Sequence, residues 1–444
     1  MDKSSEADRK VPKKSRQSTP GGTTVEGQVK MNVAIPSYRA EETERQKEVS
    51  TQLGKYLLEQ FSVPGFRSHA TVALIDRDRI QFYHANHSVV LVSSAIDFGT
   101  NDTKDGLDKL IATVIAFSRL SLHESGILSN RGNRDLVISE LTPDSMDIQE
   151  GNMLTFVDEE GKAITLTYGK LISREPSLVG RSTAVLHATS NKWKGLDLVV
   201  KISWPSSGRV SETEFLNKAI KAAEGTPAKW ALNHLPLLLF QHDVVFKPNS
   251  TTERVSKLFE NADIVNGKYK YEKRTLRVIV QGRLRPLMTL TDVRDIAQVL
   301  VDVACGMHFS LVPRLLVTYA NSVHRWLYKE VGILHRDLGP DNIMCRIIEG
   351  KVRGVLTDFD LSSLKTTLDS GRTNTSQQRS GMPPYMAYGL LGEEDPVHLY
   401  RHDLESLFYV MLMLAARYEI QAPGEGRETG GLRTRDKQKL PLKE

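Results

Sequence analysis

The sequence predicts an α+β protein in which strands come first and helices last, preceded by an additional α+β region. Three observations carry this. Between Ala163 and Val280 apolar residues gather in short, β-branched runs bounded by turn residues. Beyond Val280 helical spacing prevails, ending in the apolar stretch Leu407–Ala416. Upstream, helical spacing from Glu42 to Phe61 and from Leu107 to Leu122 brackets three short strand-like runs. With 444 residues, 40% hydrophobic and 25% charged, the chain has an ordinary globular composition and room for two or three compact units.

Taken in order, residues 1–30 are rich in Ser, Thr, Gly, Lys and Pro and almost free of large apolar side chains, so burial cannot offset the entropy of ordering them. They are expected to be disordered. The basic run from Arg9 to Arg16 is read as a solvated tail in preference to a nuclear-import or nucleic-acid-binding segment, because such clusters are common in polar tails. In residues 31–150 a helix over Glu42–Phe61, strands over Ala70–Asp76, Arg79–Tyr83 and Val89–Val92, and a helix over Leu107–Leu122 make a separate unit without a catalytic constellation. A strand-rich region, 151–283, follows, with strands over Ala163–Tyr168, Ala184–Ala188, Leu196–Trp204 and Leu276–Val280 and one helix over Glu212–Ala223. Residues 284–423 read as mostly helical, and 424–444 as a polar disordered tail.

Composition also excludes classes. Cys305 and Cys345 are too few for a disulfide framework and lack metal-ligand spacing, so they point to a reducing, intracellular compartment and to core packing. Leu407–Ala416 is well short of the ~20 residues that span a bilayer, and the start Met1-Asp2-Lys3-Ser4-Ser5 has no signal-peptide apolar region. No membrane partner is expected.

The chemistry is concentrated in Leu334-His335-Arg336-Asp337-Leu338-Gly339-Pro340-Asp341-Asn342-Ile343-Met344 and in Val355-Leu356-Thr357-Asp358-Phe359-Asp360. The first run has the spacing His-Arg-Asp-Leu-x-x-x-Asn, and the second places an acidic residue at a strand end. Both belong to phosphoryl transfer, which asks a protein mainly for positioning and charge neutralisation. Five fixed residues at that spacing would arise by chance in roughly one in ten thousand chains of this length, given residue frequencies near 5%.

The remaining parts can be placed around these. Lys201 closes the apolar run Leu198-Val-Val-Lys-Ile, where a buried cation needs a partner and suits a phosphate contact. A glutamate of the next helix should pair with it. Glu212 and Glu214 both qualify and, being two apart, lie on different faces; Glu214 is preferred because Phe215-Leu216 and Ala219-Ile220 set apolar residues beside it, and Glu212 stays open. Gly180, Ser182 and Thr183 fall where a phosphate-covering loop should lie, shortly before Lys201, although one glycine stands in place of three. Asp337 is the expected base for a substrate hydroxyl, Asn342 and Asp358 the expected magnesium ligands, and His335 a structural residue of the loop.

Together these residues resemble the protein-kinase superfamily, and in detail the fungal-type protein kinase family. The likeness runs through Gly180-Arg-Ser-Thr183, Lys201-Ile-Ser-Trp204, Ile333-Leu-His-Arg-Asp337, Asn342-Ile-Met344, Asp358-Phe-Asp-Leu361 and His402-Asp-Leu-Glu-Ser406-Leu-Phe-Tyr409, over residues 45 to 418. It implies a bilobal fold, ATP and magnesium as cofactors, and transfer of the γ-phosphate to Ser or Thr hydroxyls of a protein substrate. It further implies that Gln281-Gly282-Arg283 meets adenine through main-chain groups, and that Asp403 begins a helix anchoring the catalytic loop from beneath. Asp360 in place of the usual glycine is a trait of that family.

Three departures stand out. Gly339 occupies the place of a lysine that usually meets the transferred phosphate, Met382 that of a threonine, and Gly389 that of a glutamate in a buried ion pair. The chain also ends soon after Asp403, so an incomplete helical lobe, with a partner covering its apolar faces, is expected. These departures support an alternative class, a catalytically weak kinase-like scaffold or switch. A small-molecule kinase is disfavoured by Arg336, since an arginine beside the catalytic aspartate suits control by phosphorylation within Leu364–Ser380.

Overall fold

The computed structural model describes residues 44–62, 66–99, 104–121, 124–128, 150–157, 161–246, 248, 250–260, 271–304, 322–365, 383–392, 397–420 and 432–434. The basic run, the tail 1–30, Cys305, Met382 and residues 366–380 lie outside them.

The first unit opens with helix α1 (Glu44–Ser62), then β1 (Phe66–Arg67), β2 (His69–Asp76), β3 (Arg79–Asn86), β4 (Val89–Val92), β5 (Ile96–Asp97), α2 (Lys104–Ser118) and β6 (Ile127–Leu128). Strands β2, β3 and β4 form the expected antiparallel meander. Leu57 and Phe61 of α1 pack against Ala70 and Ala85, closing a small core that also takes in Leu178 from far downstream.

The main sheet follows, from β7 (Met153–Val157), β8 (Ala163–Glu175), β9 (Thr183–Ser190), β10 (Leu198–Ser203), β11 (Leu238–Val244) and β12 (Leu276–Gly282). Its order is β11-β12-β10-β9-β8-β7, antiparallel throughout. Helices α3 (Glu212–Ala223) and α4 (Thr251–Glu260) interrupt it in sequence. Its core contains Leu154, Leu166, Leu186, Val200, Trp204 and Val278, together with Phe66 and Leu128 of the first unit. Each such side chain, fully buried, contributes about 1.5–3 kcal/mol. Strand β10 is buried along its whole length, as its unbroken apolar run requires.

Beyond β12 come β13 (Arg285–Pro286), α5 (Val293–Ala304), α6 (Val323–Trp326), β14 (Ile333–Leu334), β15 (Ile343–Ile348), β16 (Lys351–Leu356), β17 (Ser363–Leu364) and α7 (Tyr400–Arg417). The expectation of mostly helices there is corrected by these five short strands. Ile343–Ile348 and Lys351–Leu356 alternate too little for the pattern to separate them from buried helix, yet they pair as a hairpin. A second core joins the inner face of α3 (Phe215, Leu216, Ala219) to α5, β14–β16 and Leu407, Val410 and Leu414 of α7. Cys345 lies in it, fully buried. Within the region read as a disordered tail, Leu432–Thr434 pairs with Tyr418–Ile420, and the rest of 424–444 lies outside the described residues. No helix among the described residues is long and apolar enough to cross a membrane.

Candidate active site

Lys201 is carried inward by β10 and is 6% exposed. A buried ammonium is tolerable only when paired, and here three carboxylates surround it. Its Nζ lies 2.9 Å from Glu212, 2.8 Å from Asp358 and 3.0 Å from Asp360. Burial opposes its charge, but Asp358, Asp360 and Glu212 raise its pKa well above the ordinary lysine value.

The partner is Glu212, correcting the preference for Glu214. Two helical positions correspond to about 200° of rotation, so only one of the two can face the lysine. Glu214 is exposed and closes a capping box: Ser211 Oγ accepts from the Glu214 N–H at 3.1 Å, and the Glu214 carboxylate accepts from the Ser211 N–H at 3.2 Å. Glu212, at the first helical position, is left pointing inward, where it also accepts from the Phe359 N–H at 3.4 Å. The sequence held the deciding signal in Ser211-Glu-Thr-Glu214, the Ser-x-x-Glu pattern of a helix start.

The catalytic-loop residues connect β14 to β15, and Asp358 follows β16 by one residue, so the hairpin brings the two runs together. Asn342 Nδ2 donates to the Asp337 carbonyl at 2.8 Å and to the Asp337 carboxylate at 3.1 Å. Burial, with help from the charge on Asp358, pushes the Asp337 carboxyl up to about 6, against Arg181 and the Asn342 hydrogen bond. A base in that range is half ionised near neutral pH and can accept a proton. His335 Nε2 donates to the Thr357 carbonyl at 3.0 Å, and burial holds the ring down at about 4. That is a structural role.

Beneath the loop, Asp403 in the first turn of α7 is fully buried. It accepts from the Arg336 N–H at 3.1 Å, from His324 Nε2 at 3.0 Å and from His398 Nε2 at 2.7 Å. Burial opposes its ionisation, yet these hydrogen bonds hold its pKa below the usual carboxylate range. Arg336 has φ +71° and Asp358 φ +60°, conformations costly for residues with a Cβ. The grip of Asp403 on the Arg336 amide holds the first of them. The Arg336 side chain does not reach toward Asp337 in any hydrogen bond among the described residues; burial and the charge of Arg209 lower its pKa.

Two sets of backbone donors are already engaged. The Gly180 N–H donates to the His87 carbonyl at 3.0 Å, and the Gly282 and Arg283 N–H groups donate to the carbonyls of Leu237 (2.9 Å) and Asp197 (2.8 Å). Gly180 therefore offers no amide to a phosphate, and a purine at Gln281–Arg283 meets neither of those two amides. Gln281 itself pairs within the sheet, opposite Val199. Gly180, Ser182 and Thr183 do line a cavity of about 340 Å³, together with Arg181, Arg209 and Arg274.

For a cation, the structure groups Asp358 with Asp360 and Glu212, whose oxygens all lie within 4.8 Å of one another, whereas Asn342 stands on Asp337. Burial, with Asp360 and Asp358 beside it, pushes Glu212 up to about 7 in spite of Lys201, while Lys201 and Arg181 hold Asp358 low against its own burial. Three buried carboxylates on one ammonium leave negative charge that a hard divalent ion would neutralise. The donor set fits magnesium. Asp360, read from the sequence only as a family trait, is the site residue that residue-by-residue reasoning missed.

Comparison with known proteins agrees with this geometry. A stretch of 93 residues is 32% identical to serine/threonine-protein kinase CHK1 of Saccharomyces cerevisiae, covering 21% of this chain and only 17% of that protein. The family model described as fungal protein kinase matches residues 28–415, and the chain belongs to that family.

Proposed function

We propose that the protein is an ATP-dependent kinase that transfers the γ-phosphate of ATP to Ser or Thr hydroxyls of protein substrates. The observation that carries this is the convergence of Lys201, Glu212, Asp358 and Asp360 beside the Asp337–Asn342 pair. In this reading the sheet of β7–β12 and the helical region form two lobes meeting near Gln281–Arg283, with the first unit as an addition to the former. Lys201 neutralises nucleotide phosphate, and Glu212 orients it. Asp358 and Asp360, with Asn342 at the far side, would hold magnesium, whose chemistry is to neutralise charge on the phosphates. Asp337 accepts the proton of the substrate hydroxyl as its oxygen bonds to phosphorus and ADP leaves. Protein and ATP are the partners, within a reducing cell compartment.

One observation favours a second reading, a scaffold or switch that binds nucleotide weakly: the engaged amides of Gly180, Gly282 and Arg283. Thermal denaturation separates the two. Magnesium and ATP together should raise Tm by several degrees in the wild type and by much less in Asp358→Asn. Equal shifts in both proteins would overturn the metal assignment, and no shift in either would remove the nucleotide from the reading.

A further inference from the structure

Arg181 has no part in the roles assigned above, yet it reaches the same centre. Its Nη1 lies 3.7 Å from the Asp360 carboxylate, and 34% of its side chain remains exposed, facing the cavity it lines with Ser182 and Thr183. Burial opposes its charge, but Asp358, Asp360, Asp337 and Glu175 together raise its pKa above the ordinary arginine value. The same guanidinium lowers the pKa of Asp337 and of Asp358 in return. One cation is thus felt by the base, by the foremost candidate metal ligand and by Asp360. Gly339 brings no positive charge to the catalytic loop, so this cation comes from the opposite side.

The backbone around Arg181 is fixed on both sides. The Trp204 N–H donates to the Arg181 carbonyl at 2.6 Å, and the preceding residue, Gly180, donates to His87 of the first unit. Leu178 is buried in the small core of that unit, and the His87 ring stacks on Trp204 at 4.6 Å and on Phe61 at 4.7 Å. A loop with one glycine, anchored in this way, has lost the close backbone approach that a glycine-rich loop gives to phosphates. A guanidinium held in place supplies the same neutralisation through a fork of donors matched to phosphate oxygens.

Resting on the kinase reading, we propose that Arg181 is a catalytic residue that binds the transferring phosphate of ATP, taking over from a lysine absent at Gly339, and that the first unit holds it in place through His87 and Leu178. Arg181 keeps its protons throughout. It forms charge-assisted hydrogen bonds to phosphate oxygens in place of its contact with Asp360.

The test is equilibrium binding of ATP and of ADP, each with magnesium, to wild type, Arg181→Met and Arg181→Lys, with Tm measured on the same samples. Arg181→Met should weaken ATP about ten- to a hundredfold, the worth of a charge-assisted pair, and ADP less than about threefold. Arg181→Lys, which keeps the charge without the fork, should fall between for ATP. An equal loss of ATP and ADP binding, or a fall in Tm with both affinities unchanged, would overturn the proposal and leave Arg181 as a structural partner of Asp360. A wild type that binds ADP and ATP well while the variants match it would overturn it with the kinase reading intact; a wild type that binds neither would overturn both.

Discussion

The Lys201 ammonium stands 2.9 Å from the Glu212 carboxylate, both side chains almost fully buried, while Glu214 two residues on faces solvent and closes the helix cap. Everything else in the centre is arranged around that pair. It joins the sheet to α3, and through the Phe359 amide it joins α3 to the segment carrying Asp358 and Asp360.

The two glutamates should therefore respond differently to the same change. Glu212→Gln loosens Lys201 and should lower phosphate transfer about a hundredfold, as displacement of a positioning group does, with a modest fall in Tm. Glu214→Gln should leave transfer within about twofold and cost about 0.5–1 kcal/mol of stability through the weakened cap. Steady-state kinetics and thermal melts of both variants check this.

A base near 6 gives the reaction an acid limb. Asp337 must be ionised to accept a proton, so kcat/KM should fall about tenfold per pH unit below 6 and level off above it. Arg181 and Asn342 both lower this pKa. Removing either, in Arg181→Met or Asn342→Ala, should move the limb to higher pH, and a pH profile of each variant reads the sign directly.

Asp403 ties the catalytic loop to α7, and its replacement leaves the Arg336 amide, His324 and His398 without their shared acceptor. Asp403→Ala should cost about 3 kcal/mol or more, the scale of a broken buried pair. Its folded pKa lies below the unfolded value of roughly 3.9. The stability it contributes is thus complete above that value and is lost as pH falls through the folded one. Acid titration of Tm should show a steeper loss below about pH 4 in wild type than in the variant.

His87 anchors the phosphate loop from the first unit, and burial keeps its ring neutral, with a pKa of about 4. His87→Ala removes the stack between Phe61 and Trp204 and should raise KM for ATP several-fold with a smaller change in kcat. His87→Phe, which keeps a ring there, should recover most of the KM. Loss of kcat and KM effects alike in the alanine variant, with only Tm falling, would make the contact purely structural.

The sequence made the polar framework legible where spacing alone sets geometry. Lys201 stands out as the lone cation of an apolar strand, and Asp337 with Asn342 lies on one short loop. Strands β2, β3, β8, β9 and β10 follow from their β-branched runs, and α3 falls on the residues its pattern indicated. What escaped depends on contacts distant in sequence. No local pattern indicates that His87 takes the Gly180 amide, or that Leu237 and Asp197 take those of Gly282 and Arg283. The choice of Glu212 was within reach, since the Ser211 cap claims Glu214; weighing apolar neighbours above the cap led to the other residue. The role of Asp360 is invisible until β16 and β10 bring it to Lys201.

Phosphate transfer from γ-labelled ATP with magnesium, to the protein itself and to a generic basic substrate, is the most direct test of the catalytic centre. Label should reach Ser or Thr in the wild type, and Asp337→Ala should lower the rate by at least about a hundredfold while still binding ATP. Equal labelling by both proteins, or none by a folded wild type that binds ATP, would contradict the assignment of Asp337 as the base of a working kinase.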